Sequence, residues 1–317
     1  MFKKLLLILS VTISTIASAQ AWEPSQPIIA TVGYGPGSGN EIVFRKVAEI
    51  ISKKHPNVKF VVEHKPGADE TIAMSTFAAK ENNNHILYVP AVGAFVSAPI
   101  WHQNALKVNP MEFEFVSAIA QAPFVLVANA SSGVKNMEDF VKYMKSGAPI
   151  NIGNGGPLQK VVVDFMGQGY KNVQGIPFNG PAAAAQAVVS GQIEFAISPV
   201  SFFKQHVDNG TLRFIGVTGN TKAPGAGDTQ LISNYIPNVS MITQVGVVLP
   251  KGTDPAVVAY YRSIFTSAVK SEEYQQFLAN MYWGVQNVDA ADYRKWMVNQ
   301  QATWQPFIKS TFTPAGK

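Results

Sequence analysis

Cysteine is absent from the 317-residue chain, which excludes disulfide bonds and thiolate chemistry. Charged residues are scarce as well, at 14% against 47% hydrophobic residues, a composition too apolar for a disordered chain. The 25 glycines and 20 prolines interrupt the sequence too often for a coiled coil. At roughly 150 residues per domain, length and composition together predict a folded α/β protein with two domains or one large domain.

A strong excess of one charge is also lacking. The chain has 25 Lys and Arg residues against 20 Asp and Glu residues, a net charge of +5. No dense basic run and no stripe of alternating basic and aromatic residues occurs. The charge pattern therefore predicts no nucleic-acid partner.

Sequence motifs for catalysis are missing too. No two histidines have the helical spacing of a zinc site, and no Gly-x-Ser-x-Gly motif occurs. We therefore predict no catalytic residue, no metal and no cofactor, and we expect that the protein is not an enzyme. An exported hydrolase is the remaining catalytic alternative, which turnover of a bound compound would support. The histidines in question are His55, His64, His85, His102 and His206.

Residues 1–21 have the layout of a secretory signal. Lys3 and Lys4 precede an apolar run, and small residues follow it, with cleavage sites after Ala19 or Ala21. The run is too short to span a bilayer, so a retained N-terminal anchor is the weaker alternative. Export of a chain without cysteine predicts the periplasm of a bacterium as its location.

Two successive α/β units follow the signal. A short apolar run at 27–32 predicts a strand, a glycine-rich loop follows, and the apolar spacing within 41–54 predicts a helix. A second unit of the same kind begins with a strand at 124–129. Extended apolar segments near 124 and 245 join the two units. We predict two lobes, 22–123 plus 241–317 and 124–240, with a ligand cleft between them.

Four glycine-rich loops follow predicted strands, where the ligands of such sheets bind. The loop at 33–40 precedes a helix, so its N–H groups and the helix dipole favour an anion. The loops at 65–70, 153–156 and 179–180 occupy equivalent places. A plain structural turn is the alternative for the first loop, and in the second loop Asp69 or Glu70 could simply cap the helix that follows. We expect the four loops to converge on a polar pocket lined by backbone groups.

A dinucleotide site is a weaker interpretation of the first loop. Gly33-x-Gly35-x-x-Ser38 nearly matches the dinucleotide-binding fingerprint, and Glu63 ends the next predicted strand. The third glycine of that fingerprint is missing, and an exported protein rarely meets a nicotinamide pool. Ser38 is better suited to cap the helix.

The predicted ligand-binding residues belong to these loops and to two further strand ends. Tyr34 lies within the first loop, where its ring could stack on a flat ligand group. The full set is Tyr34, Gly35, Pro36, Gly37, Ser38, Gly39, Asn40, Pro66, Gly67, Ala68, Asp69, Val92, Gly93, Asn154, Gly155, Gly156, Phe178, Asn179 and Ser198.

Several short segments form an ordered pattern along the whole predicted mature chain. They are 22–29, Pro36-Gly37-Ser38, 62–68, 123–127, 177–180, 190–194 and 246–253. Their order and spacing are more specific than any single segment. Together they resemble the substrate-binding proteins of tripartite tricarboxylate transporters, the TctC or Bug receptors.

This resemblance implies a two-lobed type II periplasmic binding protein fold that closes on a small organic acid. Backbone amides of the first two loops and bridging waters typically hold the acid in the family. The implied partners are the membrane subunits of a transporter, and we expect a monomer. A periplasmic sensor component that signals through a membrane protein is the alternative function.

Acidic residues near the predicted site depart from the family pattern. Asp69 and Glu70 stand where the family often has two glycines, and Glu41 stands where an aspartate is usual. Carboxylates beside an anion seat would repel an anionic ligand unless they point away or meet a cationic part of it. We therefore hypothesise a ligand that carries an amine, or a neutral or zwitterionic ligand.

Overall fold

The computed structural model describes residues 22–80 and 83–311. The predicted signal, 1–21, lies outside the described residues. The strands are β1 Ile28–Val32, β2 Phe60–His64, β3 Ile86–Tyr88, β4 Glu114–Asn129, β5 Ile150–Asn154, β6 Val173–Pro177, β7 Phe195–Pro199, β8 Leu212–Val217 and β9 Ile242–Leu249. The helices are α1 Gly39–Lys54, α2 Thr71–Ala78, α3 Gly93–Val96, α4 Ala98–Trp101, α5 Met137–Lys145, α6 Pro157–Met166, α7 Pro181–Val189, α8 Lys204–Asp208, α9 Pro255–Val269, α10 Glu272–Asn280 and α11 Ala290–Thr311.

The strands form one sheet in the order β2-β1-β3-β9-β4-β7-β5-β6, with β8 also paired to β4. β1, β2 and β3 run parallel to one another, and so do β5, β6 and β7. The antiparallel strands β9 and β4 join these two parallel groups. The carboxyl ends of each parallel group therefore meet at one edge, and the loops beyond those ends carry the predicted site residues.

β4 belongs to both halves of the sheet. Residues 114–123 pair with β9, whereas 124–129 pair with β7 and β8. The sequence predicts only the second part of this strand. Most residues of β4 are buried, so the first part shows no clean alternation of polar and apolar residues. The predicted lobe boundary at 123/124 falls inside this continuous strand and remains a prediction.

The core consists of three clusters of buried side chains. One lies between α1, α9, α10 and the first half of the sheet, and another lies between α7, α8 and the second half. The third continues across both halves and includes Trp304 of α11. The ring of Phe165 on α6 lies 5.5 Å from Trp304 and 4.8 Å from Phe307. The terminal helix therefore packs against both halves of the molecule.

α1 shows how local sequence sets one wall of the site. Val43, Val47, Ile50 and Ile51, the predicted apolar face, are all buried. The helix begins at Gly39 because Ser38 is its N-cap, with the Ser38 hydroxyl accepting the Glu41 N–H. The structure therefore confirms the predicted role of Ser38 as the cap of this helix. Within 22–80 and 83–311, the helices are all too short or too polar to cross a bilayer.

Candidate functional site

A cavity lies between the two halves of the sheet, at the carboxyl ends of both parallel strand groups. It encloses about 540 Å³ of space, including its opening to solvent. Residues of the first glycine loop lie on one side, and Gly155 and Gly156 lie on the other. The lining residues are Tyr34, Ser38, Gly39, Asn40, Ala91, Phe124, Gly155, Gly156, Pro157, Leu158, Gln159, Pro181, Pro199, Phe202, Thr243 and Trp283.

An outer groove continues from this cavity and brings the other glycine loops to it. Gly35, Pro36, Gly37 and residues 66–70 line the groove from the first half, and 178–182 line it from the second. Asn154 lies farther out, in a chamber shared with Asp69. The four glycine-rich loops predicted to converge therefore do so around one continuous cleft.

Three of the predicted residues do not line the cleft. The Val92 N–H donates to the Gln244 carbonyl, and Gly93 packs against Pro157, with 3.3 Å between a built Cβ and that ring. Ser198 is fully buried. Their neighbours line the cavity instead, Ala91 on one side and Pro199 on the other.

Other lining residues carry no sequence signal for the site. Trp283 follows α10, far along the chain from the glycine loops, and its ring lies 3.1 Å from a Cβ built on Gly39. The Trp283 Nε1–H donates to the Ser201 hydroxyl over 3.3 Å. This bond joins the C-terminal part of the chain to the segment after β7. Phe124 and Thr243 line the cavity from the two strands that join the halves.

Three helices, α1, α6 and α7, begin at the cleft, since their first residues line it. The first N–H groups of any α-helix have no acceptor within the helix. α6 and α7 each start with a glycine N-cap and a proline, so no side chain caps them. At α1, the Ser38 hydroxyl accepts only the Glu41 N–H. Each helix start carries a partial positive charge of about half a unit, so the cleft favours an anion.

Glu41 stabilises the first loop rather than facing the cavity. Its carboxylate accepts the Gly37 N–H at 2.7 Å and the Arg45 Nε–H at 2.6 Å, and His64 Nε2 lies 3.2 Å away. Burial raises the pKa of Glu41, but the hydrogen bonds from Arg45 and Gly37 and the proximity of His64 outweigh burial and leave the pKa below its usual value. Glu41 is therefore ionised, and Arg45 of α1 offsets its charge.

The second loop contains a left-handed turn of three non-glycine residues. Ala68, Asp69 and Glu70 have φ values of 45°, 51° and 71°. An L-residue pays roughly 1–2 kcal/mol for this conformation. The Thr71 hydroxyl donates to the Ala68 carbonyl at 2.7 Å. Strain of this kind occurs where surrounding contacts fix the backbone, often at binding sites.

Glu70 points from this turn into the protein interior and is 1% exposed. Its carboxyl accepts the Tyr88 hydroxyl at 3.0 Å and the Ala91 N–H at 3.2 Å. Burial raises the pKa of Glu70 to about 8, although the hydrogen bonds from Tyr88, Ala91 and Tyr34 lower it. The carboxyl is therefore mostly neutral at pH 7 and does not repel an anion in the cleft.

Asp69 faces the outer chamber instead. Its Oδ2 lies 2.8 Å from His102 Nε2, and the chamber also contains Trp101 and Lys160. Of the three unexpected carboxylates, Asp69 is thus the one that a ligand could meet. Among the described residues, no group of three or more His, Asp or Glu side chains could hold a metal ion.

Comparisons with known proteins agree on one family. The model of the tripartite tricarboxylate transporter family receptor, TctC, matches residues 43–312. A Cupriavidus necator protein described as "UPF0065 protein in gbd 5'region" is 24% identical over 273 residues, 83% of this chain and 81% of the relative.

Solved structures show the same fold. The periplasmic binding protein BugD has a TM-score of 0.80 at 20% identity, covering 91% of this chain and 98% of BugD. MatC from Rhodopseudomonas palustris, solved with bound malate, has a TM-score of 0.80 at 18% identity, covering 90% of this chain and all (100%) of MatC. The predicted two-lobed fold of periplasmic binding proteins and the predicted resemblance are both confirmed.

Proposed function

The chain belongs to the tripartite tricarboxylate transporter receptor family, a family of periplasmic solute-binding proteins, and from this premise we propose that it captures a small organic acid between its lobes. It then delivers the acid to the membrane subunits of a tripartite transporter. It catalyses no reaction on the acid. It acts in the periplasm, after removal of residues 1–21, and as a monomer.

The observation that carries this proposal is the meeting of three helix N-termini at one cleft. The starts of α1, α6 and α7 all contribute lining residues. A carboxylate accepts several hydrogen bonds and is stabilised by about 0.3–1 kcal/mol at each exposed helix start, more where partly buried. The carboxyls of Glu41 and Glu70 are turned away, which removes the repulsion that the sequence suggests. Malate bound to MatC supports the same ligand class.

Ligand binding favours closure because the two walls of the site come from different halves of the sheet. A ligand that contacts both walls binds the closed form more tightly than the open form, and so shifts the population toward it. β4 and β9, with their register shifts, the packing of α11 against both halves and the Trp283–Ser201 bond all connect the two sides of the cleft. Closure is the signal that membrane partners would recognise.

A thermal-shift screen tests the ligand class. Malate, longer dicarboxylates, aromatic acids and amino acids are each titrated against the mature protein. A ligand at 100 times its dissociation constant stabilises the folded state by about 2.7 kcal/mol. A shift with at least one carboxylate, and no turnover of that compound, is expected. No shift with any acid would overturn the proposal, and turnover would support the hydrolase.

Gly37→Val and Gly133→Val form a matched pair for locating the site. Both glycines have left-handed backbones, with φ of 78° and 77°, and neither has an atom within 4 Å of a built Cβ. A β-branched residue is equally strained at both, but only Gly37 lines the cleft. We expect Gly37→Val alone to abolish the ligand-induced shift. Equal responses in both variants would remove the first loop from the site.

Asp69 allows a finer proposal about the ligand. Its carboxylate remains at the cleft, so a ligand that carries an amine in addition to its acid group could pair with it. Asp69→Asn should then weaken amine-bearing acids selectively. Unchanged affinity for every amine-bearing candidate would refute the pairing of Asp69 with a ligand amine.

Delivery is tested with membrane partners. We expect the ligand-bound protein to retain transporter membrane subunits in a pull-down, and not a histidine kinase. The reverse result would favour the sensor function. N-terminal sequencing of the protein from a periplasmic fraction checks export and distinguishes cleavage after Ala19 from cleavage after Ala21.

A further inference from the structure

The side chain of Glu70 connects three separate loops of the cleft. It projects from the loop after β2, and its Oε1 accepts the Ala91 N–H in the loop after β3 at 3.2 Å. Its Oε2 accepts the hydroxyl of Tyr88, at the end of β3, at 3.0 Å. Tyr34, in the loop after β1, lies close enough to Glu70 to lower the pKa of its carboxyl. Ala91 and Tyr34 both line the cavity.

Gly33 shows how closely the first loop approaches this side chain. A Cβ built on Gly33 would lie 2.6 Å from Glu70 Cγ and 2.8 Å from Oε2. Two carbons cannot approach so closely, so the backbone at Gly33 rests on the Glu70 side chain. The first loop, the second loop and the loop after β3 therefore share one buried contact.

The left-handed turn at 68–70 depends on the same contact. Three consecutive L-residues in this conformation are disfavoured unless tertiary contacts fix them. Within the described residues, the turn has one side-chain hydrogen bond of its own, from Thr71 to Ala68. On its buried side, the bonds of Glu70 to Tyr88 and Ala91 attach the turn to β3 and to the loop after it, whereas on its outer side Asp69 contacts His102.

We infer that Glu70 is a positioning residue of the cleft, whose buried carboxyl holds the loops after β1, β2 and β3 in register. It sets the positions of Tyr34, Ala91 and the turn at 68–70 without contacting the ligand. The inference rests on the proposed function only in treating the cleft as the ligand site. Asp69, the adjacent residue in the same conformation, faces the outer chamber and does not share this role.

Hydrogen exchange without ligand tests the inference directly. The Ala91 N–H reports on the bond to Glu70, and the Thr71 N–H, which bonds the Ala68 carbonyl, reports on the turn. In Glu70→Ala both amides should exchange roughly tenfold faster or more, because a buried donor loses its partner. In Asp69→Ala, the matched removal of a carboxylate from the same turn, both should stay within about threefold of the wild type.

Two further variants keep the test decisive if Glu70→Ala does not fold. Glu70→Gln retains an acceptor for Ala91 and should restore slow exchange. Gly33→Ala keeps the carboxyl of Glu70 but displaces it, because the new Cβ would overlap the Glu70 side chain. This variant should therefore accelerate exchange of the Ala91 N–H. Gly35→Ala is the matched control, because a Cβ built on Gly35 meets no atom within 4 Å. It should leave exchange of the Ala91 N–H unchanged.

Exchange that is equal in Glu70→Ala and Asp69→Ala would overturn the inference, as would equal exchange in Gly33→Ala and Gly35→Ala. Malate titrations on the same variants then separate the two proposals. Faster Ala91 exchange in Glu70→Ala, together with a wild type that binds no acid, would uphold the positioning role and reject the proposed function.

Discussion

Replacing Glu70 by glutamine should remove a pH dependence of stability that the buried carboxyl creates. Burial raises the pKa of Glu70 to about 8 in the folded protein, from an ordinary value of 4.5. Below pH 4.5 the carboxyl is neutral in both the folded and the unfolded state. Between pH 4.5 and 8 only the unfolded chain ionises, so the stabilisation is progressively lost as the pH rises through the folded-state pKa.

The magnitude follows from the difference between the two pKa values. One pKa unit corresponds to about 1.36 kcal/mol. The free energy of unfolding of the wild type should therefore fall, relative to Glu70→Gln, by about 1.4 kcal/mol per pH unit and about 5 kcal/mol in total between pH 4.5 and 8. The phenols nearest to Glu70 do not titrate in this window, since burial raises the pKa of Tyr34, Tyr88 and Tyr293 above its usual value.

The assay is urea unfolding followed by tryptophan fluorescence at one-unit steps from pH 5 to 9. Wild type and Glu70→Gln are compared at each pH, so that the contributions of groups that titrate in both proteins cancel in the difference between their free energies of unfolding. Asp69→Asn serves as the control for loss of a carboxylate from the same turn. It should keep most of the wild-type pH dependence, because burial raises the pKa of Glu70 more than the charge of Asp69 does. Curves for wild type and Glu70→Gln that stay parallel within about 1 kcal/mol would refute a buried carboxyl with a raised pKa.

Two further predictions concern the walls of the cleft. Gly155→Ala should destabilise the fold by about 1–3 kcal/mol, because its Cβ would overlap the backbone of Gly180 and Pro181. Gly35→Ala adds a methyl group in open space and should lower the urea midpoint far less. Equal urea midpoints for the two variants would contradict this packing. Trp283→Phe removes the hydrogen bond to Ser201 and should weaken ligand binding several-fold, since such a bond contributes about 1 kcal/mol. Calorimetry should show the same loss of ligand affinity in Ser201→Ala, and no further loss when Trp283→Phe and Ser201→Ala are combined. Additive losses of affinity would show that the bond does not couple the two sides of the cleft.

The order of residues along the chain is sufficient to predict the alternation of strands and helices and the places of the glycine-rich loops. These features are local: the apolar face of α1 requires only helical spacing, and a loop such as 33–40 is marked by its glycines. The strands that precede these loops are parallel within each half, so their carboxyl ends, and the loops that follow them, lie at the same edge of the sheet. The fold and the family were therefore predictable.

The tertiary structure alone decided which side chains face the ligand. Asp69 and Glu70 both have a left-handed backbone, yet the Glu70 side chain turns inward to Tyr88 and that of Asp69 turns outward to His102. Trp283 reaches the cavity only because the C-terminal segment packs across both halves. The direction of a side chain on a loop depends on backbone conformation and on contacts from distant parts of the chain, and neither is encoded in the spacing of nearby residues.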